Sequence, residues 1–105
     1  MGLYNPVNIS VTNEERYSNE TNVIDFTAST TSQEFLDVNP ARFKAIFYNN
    51  GANVLYLKLG EDASSTDYTV QLDPGGGYFD IDKYTGKISG VWAGGGGQLQ
   101  VTELV

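Results

Sequence analysis

The side chains best suited to chemistry in this sequence are its carboxylates. Asp80 and Asp82 lie two positions apart, and Asp73 precedes them in the sequence. Because alternate residues of a β-strand share a face, Asp80 and Asp82 could together offer oxygen ligands to Ca²⁺. The sequence lacks a calcium-loop pattern with its closing glutamate, and a solvated strand face explains the pair more simply. We therefore predict no metal site.

Other kinds of catalytic centre also lack the residues they need. The chain has no histidine and no cysteine, which removes the commonest general base, the commonest metal ligand and thiolate chemistry. Its serines and threonines have no histidine to activate them. Two carboxylates could hydrolyse a glycoside, but a chain of 105 residues leaves little room for a substrate cleft. We expect a protein that is not an enzyme and that binds no cofactor.

The glycine tracts at residues 75–77 and 94–97 could in principle cradle a phosphate group. Neither tract is followed by Lys-Ser or Lys-Thr, and neither opens a predicted helix. A phosphate cradle depends on both features. We interpret the two tracts as turns between strands.

The charge balance argues against nucleic acid as a partner. Thirteen acidic residues against six basic ones give a net charge of -7, and such a chain is repelled by phosphate backbones. No apolar run approaches the roughly 20 residues that span a bilayer, and the first residues lack the pattern of a signal peptide. We expect neither a nucleic-acid nor a membrane partner.

Aromatic residues are the remaining candidates for a binding site. The chain has seven tyrosines and one tryptophan. Exposed aromatic side chains stack on sugar rings in carbohydrate-binding modules, and they also anchor protein interfaces. Alternatively, most of these rings are half-buried at the rim of the fold with their hydroxyls in water. The collective excess of tyrosine favours one face that meets a partner.

These side chains must be positioned by β-strands. Residues 43–48 and 54–59 alternate in apolar character with period two, which is the pattern of a pleated strand. The polar segment 49–53 (Asn-Asn-Gly-Ala-Asn) lies between them, and Asn and Gly tolerate the positive φ of a tight turn. This pattern predicts a β-hairpin at the centre of the fold.

Further strands are expected on both sides of this hairpin. Residues 34–38 predict a strand with Leu36 and Val38 inward, and Ile88 and Trp92 share the inward face of another. Gly90 lies between Ile88 and Trp92, where it marks a bulge or allows a large side chain to pack over the backbone. The remaining strands are predicted at residues 23–28, 68–72, 78–82 and from 99 towards the C-terminus.

About seven or eight short strands, repeating every 8–12 residues or so, indicate an antiparallel β-sandwich or a flattened barrel. We assign residues 23–105 to this single all-β domain. Residues 1–22 are polar and alternate only briefly, so they predict either an extended N-terminal arm or a frayed first strand of the same domain.

Several motifs make the chain similar to a known class of proteins. They include Asn-Pro-Ala-Arg at 39–42, Val-Leu-Tyr-Leu-Lys-Leu-Gly at 54–60 and Tyr-Thr-Gly-Lys-Ile-Ser-Gly at 84–90. Residues 46–50, 72–76 and 101–103 extend the likeness over roughly residues 36–105. The chain thus resembles small β-sandwich virion proteins of tailed bacteriophages, which occur as capsid decoration (cement) proteins, head fibres and parts of the neck or tail.

The resemblance implies a structural role in a virion. We expect a capsid decoration protein, made in the host cytoplasm, that binds the major capsid protein on the outer shell and stabilises the head. It would assemble as a dimer or trimer, with the arm of residues 1–22 reaching over a neighbouring subunit. On residue type alone, the predicted contact residues are Arg42, Tyr48, Tyr56, Tyr78 and Tyr84.

Two alternatives remain open. A carbohydrate-binding module would present a line of exposed aromatic rings, for which Tyr78, Tyr84 and Trp92 are the candidates. A neck or tail component would be equally structural but would assemble with a different symmetry.

Overall fold

A computed structural model of the chain describes residues 20–105. Most of the predicted arm, residues 1–22, therefore lies outside the described residues. Its last two positions, Thr21 and Asn22, already belong to the first strand, so the sandwich begins slightly earlier than the sequence suggested.

Eight strands and no helix make up this part of the chain. In chain order they are β1 (Thr21–Thr27), β2 (Gln33–Leu36), β3 (Lys44–Gly51), β4 (Leu55–Lys58), β5 (Val70–Leu72), β6 (Gly77–Asp82), β7 (Ile88–Trp92) and β8 (Gly97–Leu104).

The strands form two antiparallel sheets of four. Sheet I has the order β1-β8-β3-β6, and sheet II has the order β2-β7-β4-β5. The pairings are nested, since β1 pairs with β8, β2 with β7, β3 with β6 and β4 with β5. This nesting is the strand order of a jelly roll, a β-sandwich built from two Greek keys. The predicted all-β antiparallel sandwich is thereby confirmed.

The predicted central hairpin is wrong. β3 pairs with β6 and β8 in sheet I, whereas β4 pairs with β5 and β7 in sheet II. The two runs therefore face each other across the core and are not hydrogen-bonded neighbours. Segment 49–53 misled the prediction because Asn49, Asn50 and Gly51 continue β3, and the chain then crosses between the sheets.

The hydrophobic core fills the space between the two sheets. Alternation along β3 buries Ala45 and Phe47, and alternation along β8 buries Leu99 and Val101. From sheet II the buried residues are Phe35, Leu36, Leu55, Leu57, Leu72, Ile88 and Trp92. The inward orientation predicted for Ile88 and Trp92 is confirmed, because both are almost completely buried.

The short strand β2 departs from the prediction for residues 34–38. Its pairing with β7 shifts register between Glu34 and Leu36, so that the adjacent Phe35 and Leu36 are both buried. The strand ends there, and Val38 is 57% exposed. The inward orientation predicted for Val38 is therefore wrong, because the strand whose alternation it assumed ends at Leu36, two residues earlier.

The role of Gly90 is to let a large side chain pack over the backbone. A Cβ atom added at Gly90 would clash with Cε2 of Phe35 and would lie 3.1 Å from Cδ1 of Leu55. Phe35 in turn contacts Trp92 edge-on, with 5.7 Å between the ring centroids. Gly90 thus makes room for an aromatic cluster in the centre of the core.

We expect Gly90→Ala to lower the free energy of unfolding by about 1–3 kcal/mol, because the added methyl group overpacks the core against Phe35. Urea denaturation followed by Trp92 fluorescence would measure this loss. Gly95→Ala is the matched control, since a Cβ there meets nothing within 4 Å. Equal stability of the two variants would contradict the assignment.

Candidate functional site

The outer face of sheet I carries three exposed large hydrophobic side chains, those of Val23, Tyr48 and Tyr78. Strand alternation places alternate side chains of β1, β8, β3 and β6 on this face. We call six residues in its middle the tyrosine face: Val23, Ile46, Tyr48, Tyr78, Gln100 and Thr102. Two carboxylates lie in the same two middle rows, Asp25 opposite Gln100 and Asp80 opposite Ile46. In register, Tyr48 lies opposite both Tyr78 and Gln100. Thr102 lies between Ile46 and Val23.

Exposure distinguishes this face from the rest of the surface. Tyr48 is 42% exposed, Tyr78 is 62% exposed and Val23 is 64% exposed. These are three of the six exposed large hydrophobic residues in the described part of the chain, the others being Ile24, Val38 and Tyr68. Clustered exposed apolar groups indicate an interaction site, whereas scattered ones are normal.

An ion-paired cluster borders the tyrosine face. Nζ of Lys44 lies 3.6 Å from a carboxylate oxygen of Asp80 and 3.5 Å from one of Asp82. These carboxylates, Asp82 first and then Asp80, raise the pKa of Lys44 above its usual 10.5. An ammonium group thus satisfies the two carboxylates considered as calcium ligands. No group of three or more potential metal ligands occurs among the described residues.

The predicted contact residues do not form one surface. Tyr48 and Tyr78 are cross-strand neighbours on the tyrosine face. Tyr56 projects from the opposite side of the sandwich, on the outer face of sheet II, where its ring centroid lies 5.1 Å from that of Tyr68. Tyr84 lies between β6 and β7, half-buried, and its hydroxyl donates to the carbonyl oxygen of Lys87 at 2.9 Å.

Arg42 is placed differently from the prediction. Only 1% of the residue is exposed, and Nε donates to Oε2 of Glu103 at 2.8 Å. Its other nitrogens donate to backbone carbonyl oxygens of Asp37, Tyr84 and Gly86. Because the guanidinium is buried and fully engaged within the chain, its position argues against the contact role predicted for Arg42.

The row of aromatic rings predicted for sugar binding is not formed. Trp92 is 2% exposed and belongs to the core. Tyr78 lies on the outer face of sheet I, and Tyr84 lies in a connection between the sheets. A line of sugar rings cannot stack on three side chains so arranged.

A groove of about 490 Å³ lies on the outer side of sheet II. The long connection between β4 and β5 covers part of that sheet, where Ala63 is buried. Lys87 helps to hold this connection, because Nζ lies 3.1 Å from Glu61 and 3.5 Å from Glu34. The groove is lined mainly by small or hydroxyl-bearing side chains and by two aromatic residues, of which Trp92 is almost completely buried. The lining residues are Thr30, Ser32, Tyr56, Ala63, Ser64, Ser65, Val91, Trp92 and Ala93.

Sequence reasoning identified two members of the tyrosine face and missed the surface as a whole. Tyr48 and Tyr78 were candidates because of their residue type, but Val23, Gln100 and Thr102 are ordinary strand residues. Alternation does assign each of them an outward orientation. Their proximity depends on β8 lying between β1 and β3, which is a property of the topology.

Among residues 20–105, no helix is long and apolar enough to cross a membrane. The chain matches no protein-family model, no curated protein and no solved structure. The geometry of the fold and its surfaces therefore carries the functional argument.

Proposed function

We propose that this protein is a non-enzymatic structural component of a bacteriophage virion. In the most direct form of this proposal it is a capsid decoration protein that binds the major capsid protein on the outer shell and stabilises the head. The observation that carries it is the tyrosine face, an exposed sheet surface in which Tyr48 and Tyr78 are cross-strand neighbours.

The chemistry of this face suits a protein partner. Tyrosine offers a large rigid contact area together with a hydroxyl group, and tyrosine is enriched among residues that dominate binding energy. Gln100 and Thr102, between the apolar groups, can exchange hydrogen bonds with a partner backbone. A shell repeats such a contact many times, so modest affinity at each site is sufficient for stable decoration when subunits are linked.

The jelly-roll topology supports this role only by analogy with other proteins of the same fold. Jelly rolls occur in viral capsid domains and also in lectins. Fold by itself does not establish function. The analogy together with the sequence resemblance favours a virion protein over other binding proteins.

The proposal predicts saturable binding of the purified chain to phage heads stripped of accessory proteins, measured by co-sedimentation. The double variant Tyr48→Ala, Tyr78→Ala is expected to weaken this binding at least about tenfold, because truncating a central aromatic residue commonly costs more than about 1 kcal/mol. Both side chains are exposed, so the melting temperature should change little.

Tyr68→Ala is the matched control, since Tyr68 is also exposed but lies on the other side of the sandwich with Tyr56. It should bind heads as the parent protein does. Binding to isolated tails and not to heads would assign the protein to the neck or tail. Absence of binding to either would refute the virion proposal.

The groove on sheet II favours carbohydrate binding as a second candidate function. Tyr56 offers a ring on which a sugar could stack, and the hydroxyl groups of Thr30, Ser32 and Ser64 could exchange hydrogen bonds with it. A glycan panel tests this directly. Specific binding that is lost in Tyr56→Ala and retained in Tyr48→Ala would support the second candidate over the first.

A further inference from the structure

The outer edge of sheet I is open along β1. In the described chain, β1 pairs with β8 on one side and with no strand on the other. The amide of Ala28 donates to the carbonyl oxygen of Gly97, and the carbonyl oxygen of Glu20 accepts from the amide of Val105, both at 3.0 Å.

These two bonds identify which backbone groups face outward. Pairing between β1 and β8 is regular from end to end, and residues of an antiparallel strand alternate between facing one neighbour and the other. Even-numbered residues therefore bond to β8. The odd-numbered residues direct their amide and carbonyl groups to the open edge: Thr21, Val23, Asp25 and Thr27.

The other three edge strands have features that discourage pairing. β2 has four residues and an irregular register, and β5 has only three residues. β6 carries Asp80 and Asp82 beside Lys44. By contrast, β1 has seven residues, a regular register, no proline and no lysine. Natural edge strands usually use short length, bulges, proline or charge to prevent association, and β1 has only Asp25.

We propose that two copies of the chain associate by antiparallel pairing of their β1 strands, with the two-fold axis at Ile24. Ile24 is the central residue of the seven, so this register pairs the whole strand with its counterpart. All four outward-facing residues on each strand then exchange hydrogen bonds across the interface. The contact is isologous and therefore closes as a dimer.

Charge selects this register over its neighbour centred on Asp25. An axis at Asp25 would place two carboxylates directly opposite each other, which is unfavourable. With the axis at Ile24, Val23 lies opposite the partner's Asp25. The same register adds an apolar contact on the other face of β1. Ile24 is 38% exposed at the sandwich rim, and in the dimer it would contact the partner's Ile24.

The Ile24 pair would be especially close. Directly opposite residues of an antiparallel pair have Cβ atoms about 4.5–5.5 Å apart, and the distance is at the short end where the two residues do not hydrogen-bond to each other. The two copies of sheet I would become one continuous sheet, so that their tyrosine faces would lie on the same side. This inference does not depend on the proposed function, since dimerisation is measured on the purified chain alone.

The dimer dissociation constant of the full chain, measured by sedimentation equilibrium, tests the proposal. Two substitutions are compared at the exposed position Val23. Val23→Asp would place a carboxylate opposite the partner's Asp25 at two symmetric sites, and we expect the dimer dissociation constant to rise at least about tenfold. Val23→Lys would place an ammonium group there, and dimer affinity should be equal to or higher than that of the parent. If the two-fold axis lay at Val23 instead, both substitutions would weaken the dimer, because each would place two like charges directly opposite each other.

Amide hydrogen exchange of the unsubstituted chain provides an independent measurement. The amides of Val23 and Asp25 should be protected at concentrations where the dimer forms and should exchange freely on dilution. Protection that does not depend on concentration would mean that the same chain covers this edge. A monomer at all concentrations, or weakening by Val23→Lys as strong as by Val23→Asp, would overturn the proposal.

Discussion

Replacing Arg42 by methionine is expected to lower the free energy of unfolding by about 3–5 kcal/mol, the range measured when one partner of a buried ion pair is removed. Methionine retains much of the side-chain length but cannot pair with Glu103, which is 8% exposed. Three backbone carbonyl groups, those of Asp37, Tyr84 and Gly86, would lose their donor in the same step.

Urea denaturation measures this loss of stability. If the slope of the unfolding free energy against urea concentration is the same in the variant and the parent, the two proteins unfold from the same folded state. Because small domains are stable by only about 5–15 kcal/mol, a largely unfolded variant is within expectation. Glu103→Gln should lower the free energy of unfolding less than Arg42→Met does, since its amide oxygen can still accept a hydrogen bond from Arg42. A loss below about 1 kcal/mol for Arg42→Met would show that the buried pair contributes little.

The second large effect is expected at Asn49, a completely buried residue. Nδ2 of Asn49 donates to the carbonyl oxygens of Asn53, Leu72 and Asp73 at 3.0–3.1 Å. Oδ1 accepts from the Gly51 amide and from Nε1 of Trp92, both at 3.0 Å. One side chain thus joins β3 to the end of β5 and to the indole of the core tryptophan.

We expect Asn49→Asp to lower the free energy of unfolding by about 3 kcal/mol or more at neutral pH, because a buried carboxylate would replace the donor that faces carbonyl oxygens. Asn50→Asp is the matched control, since Asn50 is the next residue, is exposed and changes the net charge equally. Its effect should stay within about 0.5 kcal/mol. Equal effects at the two positions would contradict the role assigned to Asn49.

This variant should also gain a pH dependence in addition to that of the parent protein. Burial among carbonyl oxygens favours the protonated acid, so the folded-state pKa of the new aspartate would lie above its unfolded value of about 3.9. The folded state then binds more protons than the unfolded state between these two pKa values. The deficit relative to the parent should therefore be small in acid and should grow as pH rises through the folded pKa. Urea titrations at several pH values would measure it.

Arg42 and Asn49 show why residue type alone is an unreliable guide to function in this chain. Arginine is common at interfaces, and Asn-Asn-Gly is a common turn sequence. Here Arg42 neutralises Glu103 inside the sandwich, and Asn49 satisfies carbonyl groups where the chain crosses between sheets. The sequence contains no local signal for either role, because every partner except Asp37, Gly51 and Asn53 is distant along the chain.

The fold class and much of the core can be predicted from the order of residues in the chain. Period-two alternation identified most strands and correctly oriented Leu36, Ile88 and Trp92, because burial of one sheet face is a local property of an alternating strand. Alternation failed at Val38, because β2 ends at Leu36 and no longer holds Val38 in a strand.

Which strands are neighbours becomes clear only in the folded chain. The two runs predicted as a hairpin lie in opposite sheets, and strands β1 and β8, at the two ends of the described chain, are paired. Such pairings are nonlocal, and alternation specifies a face but not a partner strand. The tyrosine face and the open edge of β1 both follow from that strand order, so neither could be read from the order of residues in the chain.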